Sequence, residues 1–150
     1  MKKIQLIGVS VLLLLLMAVA PALGADELQS GSFTYLLVDG NAKITGCTNK
    51  TATLEIPAEL DGYPVTALAD GCFKGDNTLV TVTCPDSVKV IGCSAFDGCG
   101  NLESVTIPVK LTTIGMYAFK GCYSLKDIEL PQTLELLGRN SFEECRALES

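Results

Sequence analysis

The chain has 150 residues with 11 basic and 17 acidic side chains, a net charge of −6, 48% hydrophobic residues, seven Cys and neither His nor Trp. That length suits one ordinary domain. The acidic balance repels phosphate backbones and argues against a nucleic-acid partner, and the missing His removes the base of the usual serine and cysteine nucleophile systems.

Met1-Lys2-Lys3 is a short basic start, followed by an almost unbroken apolar run from Ile4 to Ala20 and by the small residues Ala22, Gly24 and Ala25. Basic, apolar and small segments in that order make a secretory signal. Residues 1–25 are therefore read as an export signal, cleaved between Ala22 and Asp26. The alternative is an uncleaved membrane anchor, since the run approaches bilayer-spanning length; its shortness and the processing site favour cleavage. No Cys stands near the end of the run to carry a lipid. Without Lys2 and Lys3, nine basic residues face 17 acidic ones, a net charge of −8, which serves solubility outside the cell. The expected location is secreted or cell-surface, with no membrane insertion of the mature domain.

Within residues 26–50, Phe33-Thr34-Tyr35-Leu36-Leu37-Val38 and Ala42-Lys43-Ile44-Thr45 flank Asp39-Gly40-Asn41. Two strand-like runs around an Asp-Gly turn predict a β-hairpin, expected to cap the core that follows. Asn49-Lys50-Thr51 fits a glycosylation sequon, which matters only in a eukaryotic host.

Residues 51–150 are governed by a period of 23. Phe73, Phe96, Phe119 and Phe142 keep it, as do Leu79, Leu102, Leu125 and Leu148; Pro85, Pro108 and Pro131; and Cys99, Cys122 and Cys145. Ile91, Ile114 and Leu137 each directly precede a Gly, at 92, 115 and 138. Such self-similarity marks a repeat architecture. In the unit Leu102-Glu103-Ser104-Val105-Thr106-Ile107-Pro108, alternation puts Val105 and Ile107 on one face of a strand and Ser104 and Thr106 on the other. Pro108, lacking a ladder donor, ends the strand. Gly115 is expected to supply a turn after Leu111 and Ile114, and Gly121 another. One unit cannot bury its apolar residues alone, whereas stacked copies bury Phe on Phe and Leu on Leu.

On these residues the chain resembles the BspA-type leucine-rich repeat of bacterial surface proteins, L-x-x-V-x-I-P … I-G-x-x-A-F-x-G-C-x-x-L, closely over Leu79 to Leu148 and more loosely over Leu54 to Leu79. The resemblance implies a right-handed solenoid with strands along one side and short strand or 3₁₀ pieces on the other. It also implies an activity of binding and adhesion, often to host matrix or plasma proteins. The fold class expected is mainly β: a right-handed leucine-rich-repeat solenoid of 23-residue repeats with an N-terminal β-hairpin cap. About three and a half to four repeats are counted, the last one truncated. Pro57 lies 28 residues before Pro85, and the extra residues fall in the turn-rich stretch Leu60-Asp61-Gly62-Tyr63-Pro64. Hairpins followed by such an insertion precede the repeats in BspA-like proteins. Leu148-Glu149-Ser150 begins another strand, which reads as a piece of a longer protein or as an edge used in association.

The Cys residues follow the repeat. Cys99, Cys122 and Cys145 share one inward slot, where a thiol fills space and can bond the turning backbone. Neighbours in that column approach disulfide Cα range, but parallel side chains hold the sulfurs apart, so thiols are expected rather than disulfides. Cys72 takes the slot of Ala95 and Ala118, Cys84 that of Ile107 and Leu130, leaving Cys47 and Cys93 as the more exposed thiols. No metal site and no cofactor is expected.

The candidate ligand-binding residues are the outward strand positions: Thr53 and Glu55, Thr81 and Thr83, Ser104 and Thr106, Asp127 and Glu129. Strands about 4.8 Å apart turn these into two polar columns. One reading is a ligand face, as solenoids use extended surfaces for binding; the other is a solvated face with Thr favoured by strand propensity. The function expected is a non-enzymatic, adhesin-like recognition module whose partner is an extracellular protein or a glycan. The alternative is a structural spacer or accessory module of a larger secreted protein.

Overall fold

The computed structural model describes residues 26–149; the export signal read in residues 1–25 lies outside them. The described chain is all strand and turn, without helix, and forms a β-solenoid of about four coils. Its strands are β1 (Leu28–Ser30), β2 (Phe33–Val38), β3 (Asn41–Cys47), β4 (Thr53–Glu55), β5 (Glu59–Leu60), β6 (Tyr63–Leu68), β7 (Thr81–Thr83), β8 (Val90–Ile91), β9 (Ser104–Thr106), β10 (Thr113–Ile114) and β11 (Leu136–Leu137).

Two sheets wall the core. The first runs β1-β2-β3-β6-β8-β10-β11, with β5 hairpinned onto β6; the second is β4-β7-β9. The strands β1, β2 and β3 are antiparallel, and β3 then pairs in parallel with β6. Along β6-β8-β10-β11 the pairing is parallel and each partner is one period away: Ala67, Val90, Thr113 and Leu136 stand side by side, as do Leu68, Ile91, Ile114 and Leu137. The β2–β3 and β5–β6 turns both use Asp-Gly. Asp39 and Gly40 have φ of 49° and 75°, Asp61 and Gly62 of 50° and 85°, the pair of positive angles that matches strand twist.

The core is a set of columns. Phe73, Phe96, Phe119 and Phe142 stack with ring centroids 5.3, 5.2 and 5.3 Å apart and planes 19°, 7° and 2° from parallel, within the range where aromatic pairs attract beyond simple burial. Leu79, Leu102 and Leu125, and Val88 and Leu111, are buried beside them. At the amino-terminal end Tyr35, Ala42 and Ile44 of the meander cover these columns. The Tyr35 hydroxyl donates to Asp61 Oδ2 at 2.8 Å and Ser30 Oγ to Asp61 Oδ1 at 2.7 Å, tying the β5–β6 hairpin to the meander. At the other end Leu136 and Leu137 are exposed, although Ile91 and Ile114 in the slot of Leu137 are fully buried.

The structure corrects the reading of Gly115. Its φ is not positive, so it makes no special turn. A Cβ there would lie 2.5 Å from Cys93 N and 2.6 Å from Gly92 C; the glycine is needed because the preceding coil touches its backbone. The same holds for Gly92 and Gly138. The left-handed slot comes two residues later, at Gly71, Ser94, Tyr117 and Asn140, with φ between 54° and 64°. A second one lies at Gly75, Gly98, Gly121 and Glu144, where Gly121 does turn the chain.

Candidate functional site

The β4-β7-β9 sheet forms because its middle residues are the ones a core demands. Leu54, Val82 and Val105 pair across the strands and point inward, all buried. Alternation then sends their neighbours outward. Register places Thr53 beside Thr81 and Thr81 beside Ser104, and Glu55 beside Thr83 and Thr83 beside Thr106. All six are exposed except Thr81, which is half-buried. The two columns drawn from the sequence are thus brought together over three strands.

The fourth rung is weaker than expected. Asp127 joins Ser104 through a single parallel bridge, and Glu129 is exposed but outside any strand. At its two outward positions Asp127 and Glu129 stand where β-branched side chains would favour a pleated surface. Ile107, placed with Val105 on one strand face by alternation, likewise falls just past the end of β9 and is half-buried.

Among the described residues, none of the eight candidate side chains bonds to another protein group. By contrast Thr112 and Thr133, on the other side of the coils, are tied to backbone carbonyls. The strand-face hydroxyls and the carboxylates of Glu55, Asp127 and Glu129 are therefore turned to solvent with their hydrogen-bonding capacity unspent. Beside them Lys126 pairs with Glu103 at 2.7 Å. That contact belongs to a set of coil-to-coil pairs with Lys74–Asp97 and Lys120–Glu143. Each joins residues one period apart, so opposite charges 23 positions apart were the sequence signal that would have found them. The hydrogen bond from Lys120 holds the Glu143 carboxyl below its ordinary range.

Most of the thiols are structural. All seven are free. Cys99, Cys122 and Cys145 donate to the carbonyls of Phe73, Phe96 and Phe119 at 3.0, 3.2 and 3.1 Å, so each locks one coil to the one before. Burial pushes Cys99 up to about 11 and Cys84 up to about 12 and raises Cys72 and Cys122 further. Such groups stay protonated and unreactive. Exposure does not single out Cys47 and Cys93 as expected: both are half-buried, like Cys72 and Cys145. Among the described residues no group of three or more Cys, Asp or Glu side chains is placed to hold a metal ion.

Known proteins agree with this architecture. The profile of the BspA type leucine-rich repeat region matches residues 47–150 in six copies. A leucine-rich repeat protein of Treponema pallidum is 35% identical with a TM-score of 0.77, covering 82% of this chain and 58% of its own. A leucine-rich cell surface protein of Faecalibacterium prausnitzii is 30% identical with a TM-score of 0.79, covering 84% and 36%. A leucine-rich repeat protein of Bacteroides capillosus is 33% identical with a TM-score of 0.75, covering 83% and 95%. The chain thus spans little more than half of the first of these and about a third of the second. No curated protein matches it. The period, the stacked columns and the profile covering 47–150 converge: the chain belongs to the BspA-type leucine-rich repeat family.

Proposed function

We propose that this protein is an exported, non-enzymatic recognition module that binds an extracellular protein across the β4-β7-β9 face. The observation that carries the reading is the row of unpartnered outward groups, Thr53, Thr81, Ser104 and Asp127 beside Glu55, Thr83, Thr106 and Glu129, on a backbone held rigid by buried columns. Rigid, regularly spaced donors and acceptors lose little entropy on binding. The Faecalibacterium relative is described as a cell surface protein, which supports a location outside the cell, as does the signal read in residues 1–25.

The test is retention on immobilised matrix proteins, plasma proteins and polysaccharides. Thr83→Arg, Thr106→Arg and Glu129→Arg together should abolish retention on a protein ligand while the far-ultraviolet circular dichroism stays unchanged. Undiminished retention by a folded triple variant refutes the strand face as the site. Retention on polysaccharide alone favours an accessory role in a larger protein.

A further inference from the structure

The sheet opposite the strand face carries a concavity. Where β3 meets β6 and β8, a half-open cavity of about 330 Å³ is lined by Asp39, Asn41, Lys43, Thr66 and Asp70 over Val90. Its volume falls in the range of small-ligand sites.

Three features set this place apart from the repeating surface. First, the ladder is broken here. Ala42 pairs with Val65 but Lys43 with Ala67, so Thr66 is an extra residue, a bulge that re-aims a side chain next to the cavity. Second, the charges are held but unspent. Asp70 Oδ1 accepts the Cys93 N–H at 2.8 Å, which fixes the carboxylate and leaves its second oxygen open. The Asn41 amide donates to the Asp39 carbonyl at 2.9 Å, leaving its own oxygen open. Lys50, Lys74, Lys120 and Lys126 each pair with a carboxylate, whereas among the described residues Lys43, like Lys89 and Lys110, pairs with none, although Asp39 and Asp70 line the same cavity as Lys43. Third, the fold does not ask for an acid at position 70, whose equivalents one, two and three periods on are Cys93, Met116 and Arg139.

We propose that this cavity binds a small zwitterion of the α-amino-acid class. The ligand ammonium lies toward the Asp39 and Asp70 carboxylates and its carboxylate on the Lys43 ammonium, with Thr66 and Asn41 completing the hydrogen bonds. One cation facing two anions in a small space selects a molecule that carries both charges over one that carries either alone. The site is independent of the strand face, and either can fail without the other.

The experiment is an amide-resolved NMR titration of the protein with L-alanine, with sodium acetate and methylammonium chloride as single-charge probes. L-Alanine should give saturable shifts confined to residues 38–43 and 66–70 and to Val90, with affinity at least about tenfold above either single-charge probe. Lys43→Met and Asp70→Asn should each weaken it by about tenfold or more. The Asn carbonyl can still accept the Cys93 N–H, so unchanged shifts elsewhere confirm the fold. Absence of saturable shifts up to roughly 50 mM L-alanine overturns the proposal. So does an equal response to acetate or methylammonium, or full binding by a folded Lys43→Met variant.

Discussion

Replacing Gly115 by alanine should force apart the two coils that meet beneath it. The new Cβ would stand 2.5 Å from Cys93 N, 2.6 Å from Gly92 C and 2.8 Å from Cys93 Cα. Carbon contacts settle at about 3.5–4.0 Å, so the seam must open by roughly 1 Å, and all three obstacles are backbone. Opening it strains the bonds from Gly115 N–H to Ile91 O at 2.8 Å, Ser94 N–H to Met116 O at 2.8 Å and Thr112 N–H to Lys89 O at 2.9 Å. Overpacking costs about 1–3 kcal/mol and each bond lost about 1 kcal/mol net, so the expected destabilisation is about 3–5 kcal/mol. Glycine-to-alanine changes at unstrained sites instead stabilise by about 0.4–1 kcal/mol, which makes the sign diagnostic. Gly138→Ala brings Cβ still closer, 2.3 Å from Gly115 C, but among the described residues only the preceding coil packs on the one that carries it, which can shift. About 1–2 kcal/mol is expected there. Urea unfolding followed by circular dichroism measures both. A Gly115→Ala protein within about 0.5 kcal/mol of the parent, or a larger loss for Gly138→Ala, refutes the close-approach argument.

Glu144 holds a left-handed slot, φ 62°, that Gly75, Gly98 and Gly121 fill in the earlier coils; Glu144→Gly should stabilise by about 1 kcal/mol, seen as a raised Tm. Buried Cys84 and Cys99 titrate near 12 and 11 instead of 9.0. The folded state therefore keeps protons that the unfolded chain releases, and the stability they contribute is complete below about pH 9 and declines as pH rises toward 11–12. Tm measured from pH 8 upward should fall along that window, less steeply in Cys84→Val; an equal slope in that variant would contradict the assignment. Tyr35→Phe leaves Asp61 with only Ser30 as donor and should cost about 1–2 kcal/mol, with faster amide exchange confined to the meander and the 59–64 hairpin.

The coil spacing was legible because the residues that touch across coils cannot vary independently: a Phe that stacks on Phe96 and Phe119 must recur every 23 positions. The outward columns followed from the same period and the alternation of Leu54, Val82 and Val105. Positions that the backbone constrains by angle were hidden, since Ser94, Tyr117 and Asn140 share a conformation without sharing a chemistry. Gly115 was seen but misread, because sequence cannot distinguish a glycine kept for its φ from one kept for the atom above it. The cavity was invisible for a further reason. Its residues come from the hairpin turn, a bulge at Thr66 and the odd acid at Asp70, all places where the period breaks.

The near-parallel Phe rings, 5.2 to 5.3 Å apart, also say how such a protein can change size. Since adjacent coils are almost pure translations of one another, a cut and a rejoin made in the same slot of two coils reproduce every contact type at the seam. Length is then a quantised variable: excising 23 residues shortens the rod by one ring spacing and takes one rung from the outward columns, while the same excision shifted by a single residue at one end alone puts Ala118 or Lys120 where Phe119 belongs.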